Sequence, residues 1–372
     1  MKTGRNGKGS VGNPDFEDVS SYSAPLKRGK KKRKTLFLCL KLCLALVCVC
    51  LIGAGSAMAY VSTSLIGGLT TQPLSKDLEK LGIPEDVELD DSVTNIALFG
   101  LDTRGDSFEG NSDIMMIVSV DNRHKMVKLI SILRDTKVEL EGSPARINAV
   151  YAYGGPDLAV YTLNRTFALE DYSLNIQDYV SVNFGNAAKV IEAVDGVDLE
   201  ITAEEAGQIN ANLNLALQDD TQAEIVPEDF IEEKAGMAHL NGNQTVAYSR
   251  IRVLDGGDAA RAGRQQKVLE AVLQKVRGGR VNYAELIRAV MPLCKTSLDL
   301  EDILALSPIL LTDFTVETLT VPGDREEAWG GLDPDFDDNW VFIYDFEQAA
   351  RHIREFLEAG PSQPSAQSSG VS

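Results

Sequence analysis

The sequence predicts an α/β domain whose sheet is covered by helices on both faces, carried behind a single membrane-crossing helix. Two patterns lead there. Between residues 94 and 357, short apolar runs of strand length alternate with segments of helical spacing, as expected for a sheet packed between helices. Ahead of them an apolar run starts at Leu36, broken only by Lys41. From Leu42 to about Ser62 it is long enough for the roughly 20-residue helix that a bilayer core requires. The expected organisation is a basic tail over 1–34, an anchor over 35–66, a stalk over 67–92, the large domain over 93–358 and an uncharged tail over 359–372. The last is expected to be disordered.

Charge orients this arrangement. Lys27, Arg28, Lys30, Lys31, Lys32, Arg33 and Lys34 lie directly before the apolar run, so the positive-inside rule puts the N-terminus in the cytoplasm and the large domain outside. Lys41 is expected to snorkel to the inner interface. Ala57-Met58-Ala59 also fits a signal-peptidase site. The run is longer than a signal core of roughly 7–15 residues, which favours an uncleaved anchor. The first 34 residues carry +7 of a total charge of −19, which leaves −27 beyond Lys41. Such acidity argues against non-specific nucleic-acid binding by the large domain. Four of the five cysteines fall in the anchor, so Cys294 has no partner for an internal disulfide and the core alone must hold the domain together.

Within the domain, Thr94–Gly100, Ile114–Val120 and Met126–Leu133 read as buried strands, the last two joined by a hairpin turn at 121–124. Gly154-Gly155-Pro156 breaks the pattern and starts a helix over 156–169. A strand over 179–184, a helix over 186–194 and a strand over 196–201 follow. Residues 203–235 are acidic and weakly periodic and read as a surface excursion. Helices are expected at 241–249, 259–277, 282–291 and 300–306, the last two ending before prolines. Late strands at 315–321 and 341–344 and a helix at 346–357 close the chain.

The chemistry is concentrated in three places. Arg250 to Gln266 contains Arg250, Arg252, Arg261 and Arg264, unusual in so acidic a domain. Guanidinium forks match phosphate oxygens two at a time. On a helix over 259–277, Arg261, Arg264 and Gln265 would share one face near its N-terminus, where free amides suit an anion. Arg250 and Arg252 would point together on extended backbone, with Gly256-Gly257 as the bend between the two sets. The bland alternative is a set of surface arginines paired with acids. Second, Asp102 follows the first strand and Asp113 opens the next, an arrangement able to hold magnesium or equally to serve turns and caps. Third, Arg134-Asp135 ends the third strand and Arg146 follows, with Tyr151 and Tyr153 as packing residues. His124, His239 and His352 are scattered, which argues against a Ser-His or Cys-His hydrolase. No Walker loop or GxGxxG occurs.

Taken together, Gly100-Leu-Asp-Thr-Arg104, Asn111-Ser-Asp113, Ser131-Ile-Leu-Arg-Asp-Thr136, Arg146 to Gly155, His239 to Arg252 and Asp258 to Gln266 resemble the LytR-CpsA-Psr family over about 94–357. The resemblance implies an α/β/α sandwich with a central mixed sheet and an apolar tunnel for a prenyl chain. It implies a single-pass cell-membrane phosphotransferase that moves a glycopolymer (teichoic acid, capsule or similar) from a polyprenyl-pyrophosphate carrier onto peptidoglycan. Asp102 and Asp113 would hold Mg2+ (or Mn2+). Arg134, Arg250, Arg252, Arg261 and Gln265 would hold the pyrophosphate, with Arg104, Arg146 and Arg264 as further substrate contacts. Asp258 would orient the arginines or take a proton. Two positions depart from the pattern: Arg146 stands where lysine is common, and Asn111 where arginine is common. A pyrophosphatase using water as acceptor, and an envelope-linked transcriptional attenuator without enzymatic activity, are the alternatives. The second would need residues 1–34 to bind nucleic acid, whereas their basic cluster serves as a topology signal.

Overall fold

The computed structural model describes residues 70–361, apart from 88, 90, 91, 104–106, 122, 219–224, 255, 278–282, 300, 301, 303–308 and 310–312. The anchor expected at 35–66, the basic tail, Arg104, most of the helix expected at 300–306 and nearly all of the C-terminal tail lie outside the described residues. Among the described residues, no helix is long and apolar enough to cross a membrane.

The strands are β1 (Thr70–Thr71), β2 (Val93–Leu101), β3 (Ser112–Asp121), β4 (Met126–Ile132), β5 (Lys137–Leu140), β6 (Ser143–Arg146) and β7 (Ile176–Asn183). They continue with β8 (Val197–Ile201), β9 (Gly236–Leu240), β10 (Cys294–Thr296), β11 (Thr315–Val321), β12 (Trp329–Asp333) and β13 (Asn339–Ile343). The helices are α1 (Val150–Thr166), α2 (Phe184–Ala193), α3 (Ala203–Gln218), α4 (Gly242–Ser249), α5 (Gly257–Val276), α6 (Tyr283–Val290) and α7 (Phe346–Glu358). Among the described residues the central sheet has seven strands in the order β1-β10-β7-β2-β3-β4-β11. It is mixed: β2 runs parallel to β7 and antiparallel to β3, and β4 runs parallel to β11.

Two apolar cores follow from strand alternation. Ile96, Leu98, Met116 and Val118 face one side, where α5 and α6 cover them with Leu269, Leu273 and Val290. Ala97, Phe99, Met115 and Ile117 face the other, against Val160 and Leu163 of α1 and Ile353 of α7. The domain is thus three-layered, with helices on both faces of a mixed sheet.

Four expectations are corrected. Residues 203–218 form α3 rather than a surface excursion, because Ile209 and Leu213 are buried against Leu199, Ile201 and Tyr248 in a third core. The acidic residues around them masked that periodicity. Strand β8 pairs antiparallel with β9, away from the central sheet. Helix α1 starts at Val150, six residues early, and kinks at Gly154 and Gly155, whose backbone leaves helical geometry. The stretch expected as a polar stalk is partly domain: β1 pairs with β10, and Leu81 and Ile83 are buried in the second core.

Lys128 lies at the sheet and is fully buried. Its ammonium donates to the carbonyl oxygens of Phe356 (2.7 Å), Leu357 (2.9 Å) and Ala359 (2.5 Å), closing the C-terminal end of α7. Desolvation pulls its pKa below the usual lysine range, partly offset by Glu317 and Asp121. Replacing Lys128 with Ala would leave three carbonyls without that donor. The expected loss is about 3 kcal/mol, read as a lower denaturant midpoint with early loss of α7 amide protection. Burial also pushes the phenols of Tyr151 and Tyr248 up to about 12, from an ordinary 10. The folded state therefore keeps protons that the unfolded chain releases. Stability from these groups is complete below pH 10 and is expected to fall as pH rises from 10 towards 12. Alkaline titration of phenolate absorbance alongside circular dichroism checks this.

Candidate active site

The polar centre is built where β2, β4 and β7 end and β3 begins, so that four central strands meet at one sheet edge. Gly100 pairs with Ile114 and Leu101 with Ser112, which leaves Asp113 as the extra residue of a bulge. A bulge re-aims the side chain it carries, here out of the ladder and beyond the sheet. Gly100 is required by the close approach at this point, since a Cβ there would lie 2.8 Å from Ile114.

Asp113 gathers three arginines from separate elements. Its Oδ1 accepts from Arg134 Nη1 at 2.7 Å and its Oδ2 from Arg252 Nη2 at 2.9 Å, with Arg261 Nη1 3.9 Å away. Arg134 leaves the end of β4. Its Nε donates to Asp135 (3.2 Å) and lies 3.9 Å from Asp258. Asp258 sits in the first turn of α5, 2.9 Å from Arg261 Nη2. Arg146, at the end of β6, shares Asp135 at 3.4 Å. The bend expected at Gly256-Gly257 is present, both residues having positive φ (94° and 51°). It brings the start of α5 to the sheet edge.

The electrostatics are unequal. Burial opposes the charge of Arg134, but Asp113, Asp135 and Asp258 outweigh it and raise its pKa. Arg261 is only 4% exposed. Burial, with Arg134 and Arg252 nearby, pulls its pKa down to about 10 despite Asp258 and Asp113. Its Nε is buried without a hydrogen-bond partner, and the contact of Asp258 Oδ1 is ionic rather than a directed hydrogen bond. A buried cation left short of counter-charge is a strong reason to bind an anion.

Other expected residues are placed differently. Arg250 caps α4 with helical rather than extended backbone (φ −97°, ψ −2°). Its guanidinium lies over the Phe184 ring at 5.1 Å, while Arg252 turns to Asp113. Arg264 does not share a partner with Arg261. It is buried against Glu205 of α3 (2.8 Å) and reaches the Ile251 carbonyl (3.5 Å), so it braces the loop between Arg250 and Arg252. Gln265 donates to the Ser249 carbonyl at 3.5 Å. Asp102 is exposed, its amide bonded to the Asn111 carbonyl (3.2 Å). Tyr151 packs as expected, but Tyr153 is exposed. Each histidine sits on its own carboxylate: His124 on Asp121, His239 on Asp198 and His352 on Glu326.

Beside this centre lies an apolar cavity with about 730 Å³ of unfilled space, part of it open to solvent. Its walls include Leu98 and Met116 of the sheet, Phe184 and Val190 of α2, and Leu269 and Val272 of α5. Cavity and polar cluster share neighbouring residues. Ile114 follows Asp113, Ser249 precedes Arg250, and Gln265 stands one turn after Arg261. Sequence reasoning did not pick out these wall residues, because apolar side chains that line a cavity and those that fill a core have the same periodicity. Cys294 is also in the wall. Burial pushes its thiol up to about 12, which removes thiolate chemistry at neutral pH.

Among the described residues no three His, Cys, Asp or Glu side chains converge as a metal cage. Asp102 lies exposed just beyond β2, while both carboxylate oxygens of Asp113 accept from Arg134 and Arg252. A cation there would share Asp113 with two guanidinium groups and draw the rest of its shell from Asp102, water and phosphate oxygens. Magnesium accepts such a shell.

The sequence profile of the LytR_cpsA_psr family matches residues 69–355. A teichoic acid transferase TagU of Enterococcus faecalis is 32% identical over 216 residues, covering 56% of this chain; the chain spans 62% of that relative's length. A TagU of Bacillus cereus is 28% identical over 267 residues, covering 70% of this chain and 79% of its own. Both carry the name polyisoprenyl-teichoic acid–peptidoglycan teichoic acid transferase. In fold, the chain is similar to a LytR-CPS2A-psr family protein, YwtF (TagT), solved with octaprenyl pyrophosphate. The TM-score is 0.54 at 22% identity, over 77% of this chain and 98% of the other. TagT bound to LI-WTA gives a TM-score of 0.57 at 22% identity with the same coverage.

If Arg261 is the under-neutralised cation, pyrophosphate should stabilise the folded chain by about 2.7 kcal/mol at a hundredfold excess over Kd. Arg261→Met should retain a melting temperature within a few degrees of the parent and lose most of that ligand-induced rise. Thermal melts with and without inorganic pyrophosphate check both outcomes.

Proposed function

The chain belongs to the LytR_cpsA_psr family, and on that premise we propose that it transfers a glycopolymer from a polyprenyl-pyrophosphate carrier to peptidoglycan. The observation that carries this reading is an apolar cavity whose wall residues Ile114, Ser249 and Gln265 adjoin Asp113, Arg250 and Arg261 of the arginine cluster. A lipid diphosphate has those two parts, joined in that order. The apolar lining would take the part of the prenyl chain next to the phosphates.

In the proposed reaction, a hydroxyl oxygen of the acceptor glycan attacks the phosphorus that carries the donor glycan. A new phosphorus–oxygen bond forms, and the bond to the bridging oxygen breaks. Polyprenyl phosphate leaves with the electron pair. Arg134, Arg252 and Arg261 spread the charge on the non-bridging oxygens, which is the main demand of phosphoryl transfer. Arg250, held over Phe184 at the cavity wall, is placed to meet the diphosphate where the lipid enters. Asp258, near both Arg134 and Arg261, orients them and is the carboxylate available to take the hydroxyl proton. Mg2+ (or Mn2+) held by Asp102 and Asp113 would neutralise further phosphate charge. The apolar run at 35–66 would anchor the chain in the cell membrane with the catalytic domain outside, where lipid-linked substrate is locally concentrated.

The test uses full-length protein in detergent micelles with a labelled polyprenyl-pyrophosphate glycan and purified peptidoglycan. Label should enter peptidoglycan through a phosphodiester bond. Arg134→Ala and Arg252→Ala should each lower the rate about 100-fold or more, in the range of a lost charge-stabilising donor. A chelator should stop the reaction and added Mg2+ restore it. Label released only as soluble sugar phosphate would replace the transferase with a pyrophosphatase.

A further inference from the structure

The hairpin β12–β13 carries Trp329 and Trp340, the chain's two tryptophans. Its register pairs Leu332 with Trp340 and Gly330 with Phe342 on one face. On that face Leu332 is 61% and Trp340 38% exposed, while Phe342 is half-buried and also packs against the second core. Phe342 stands edge-on to Trp340, with centroids 4.6 Å apart and planes at 86°. Glycine at 330 keeps the rings bare, since a Cβ there would approach Phe342 to 3.1 Å and Trp340 to 3.3 Å. Exposed aromatic faces grouped in this way mark interaction surfaces.

The face is fixed to the arginine centre. Phe342 N–H donates to the Asp135 carbonyl at 2.9 Å, and the Asp135 side chain holds Arg134 and Arg146. Lys137 pairs with Asp333, and Arg146 Nη2 reaches Asn339 Oδ1 at 3.5 Å. The rim is acidic, with Glu327, Asp335, Asp337 and Asp338 all exposed. A rim of that sign repels anionic headgroups and a phosphate-rich donor polymer. Aromatic rings beside carboxylates suit a saccharide, whose C–H faces stack on the rings while its hydroxyls donate to the acids. We infer that this face of β12–β13 is the docking platform for the acceptor glycan, an uncharged or amine-bearing saccharide chain. The inference rests on the transferase reading above for the acceptor's role, but not for saccharide binding itself.

The hairpin supplies its own reporter, because all tryptophan emission comes from it. A short soluble N-acetylglucosamine oligomer titrated into full-length protein in detergent should change that emission saturably, and Trp329→Phe should preserve the change. Calorimetric affinity should be roughly tenfold weaker in Trp340→Leu, as for a truncated aromatic at an interface centre. Gly330→Val keeps both rings and a strand-compatible residue, and should weaken binding similarly by covering them. Both variants should retain the pyrophosphate-induced rise in melting temperature, whereas Arg134→Ala should lose that rise and keep saccharide binding. Absence of saturable saccharide binding, or parental affinity in both platform variants, overturns the inference even if transfer occurs. Saccharide binding without transfer to peptidoglycan would instead defeat the transferase reading and leave the platform standing.

Discussion

The carboxylate of Asp113 organises the polar centre. One group, set free of its ladder by a bulge, accepts from Arg134 of the β4 end and Arg252 of the α4–α5 loop, with Arg261 of α5 close by. Three guanidinium groups in such proximity repel one another by several kcal/mol at the intermediate dielectric of a partly buried site. Asp113, Asp135 and Asp258 offset part of that repulsion. The remainder falls on Arg261, whose buried Nε lacks a partner and whose charge is disfavoured. Such a centre gives up stability locally and would offer an incoming polyanion cations already desolvated and aligned.

The supporting residues explain how such a cluster persists. Arg264 is the same residue type as Arg261 and three positions away, yet its Nε donates to Glu205 of α3 and its Nη1 to the Ile251 carbonyl. Gln266 ties α5 to Ser131 and to the Leu319 carbonyl of the neighbouring strands. The helix that presents Arg261 is thereby held to the sheet, and the loop that presents Arg252 is held to the helix. Binding arginines need bracing because a charged group displaced by one ångström loses much of its directed interaction with a phosphate oxygen.

Much of this was legible in the sequence, and what was not has physical causes. The strands around Ile96, Ile117 and Ile130 have continuous apolar runs, so their existence and order could be read directly. Helix α3 could not, because Glu204 and Glu205 hide a narrow apolar stripe and Glu205 serves Arg264 rather than solvent. The arginine motif pointed to a common anion, but spacing could not separate Arg261 from Arg264. Both lie on one side of a helix, and only the tertiary partner distinguishes a binding cation from a bracing one. The resemblance implied an apolar tunnel, but its walls could not be assigned for a related reason: Leu269 and Val272 carry the same pattern whether the space opposite is filled or empty.

The surface charge gives these placements a common logic. A domain carrying most of a −27 balance repels polyanions over nearly all of its surface. In the proposed reading, Arg134, Arg252 and Arg261 overcome that field where the diphosphate would settle, so acidity elsewhere would sharpen the location of the donor instead of opposing its binding. The acidic rim of β12–β13 then does the converse beside the same centre, turning away phosphate-bearing chains while leaving Trp340 open to a neutral one. A polyanionic donor and a neutral acceptor would then be sorted to neighbouring surfaces instead of competing for one. Asp135 joins the two regions physically, its side chain holding the arginines and its backbone carbonyl holding Phe342.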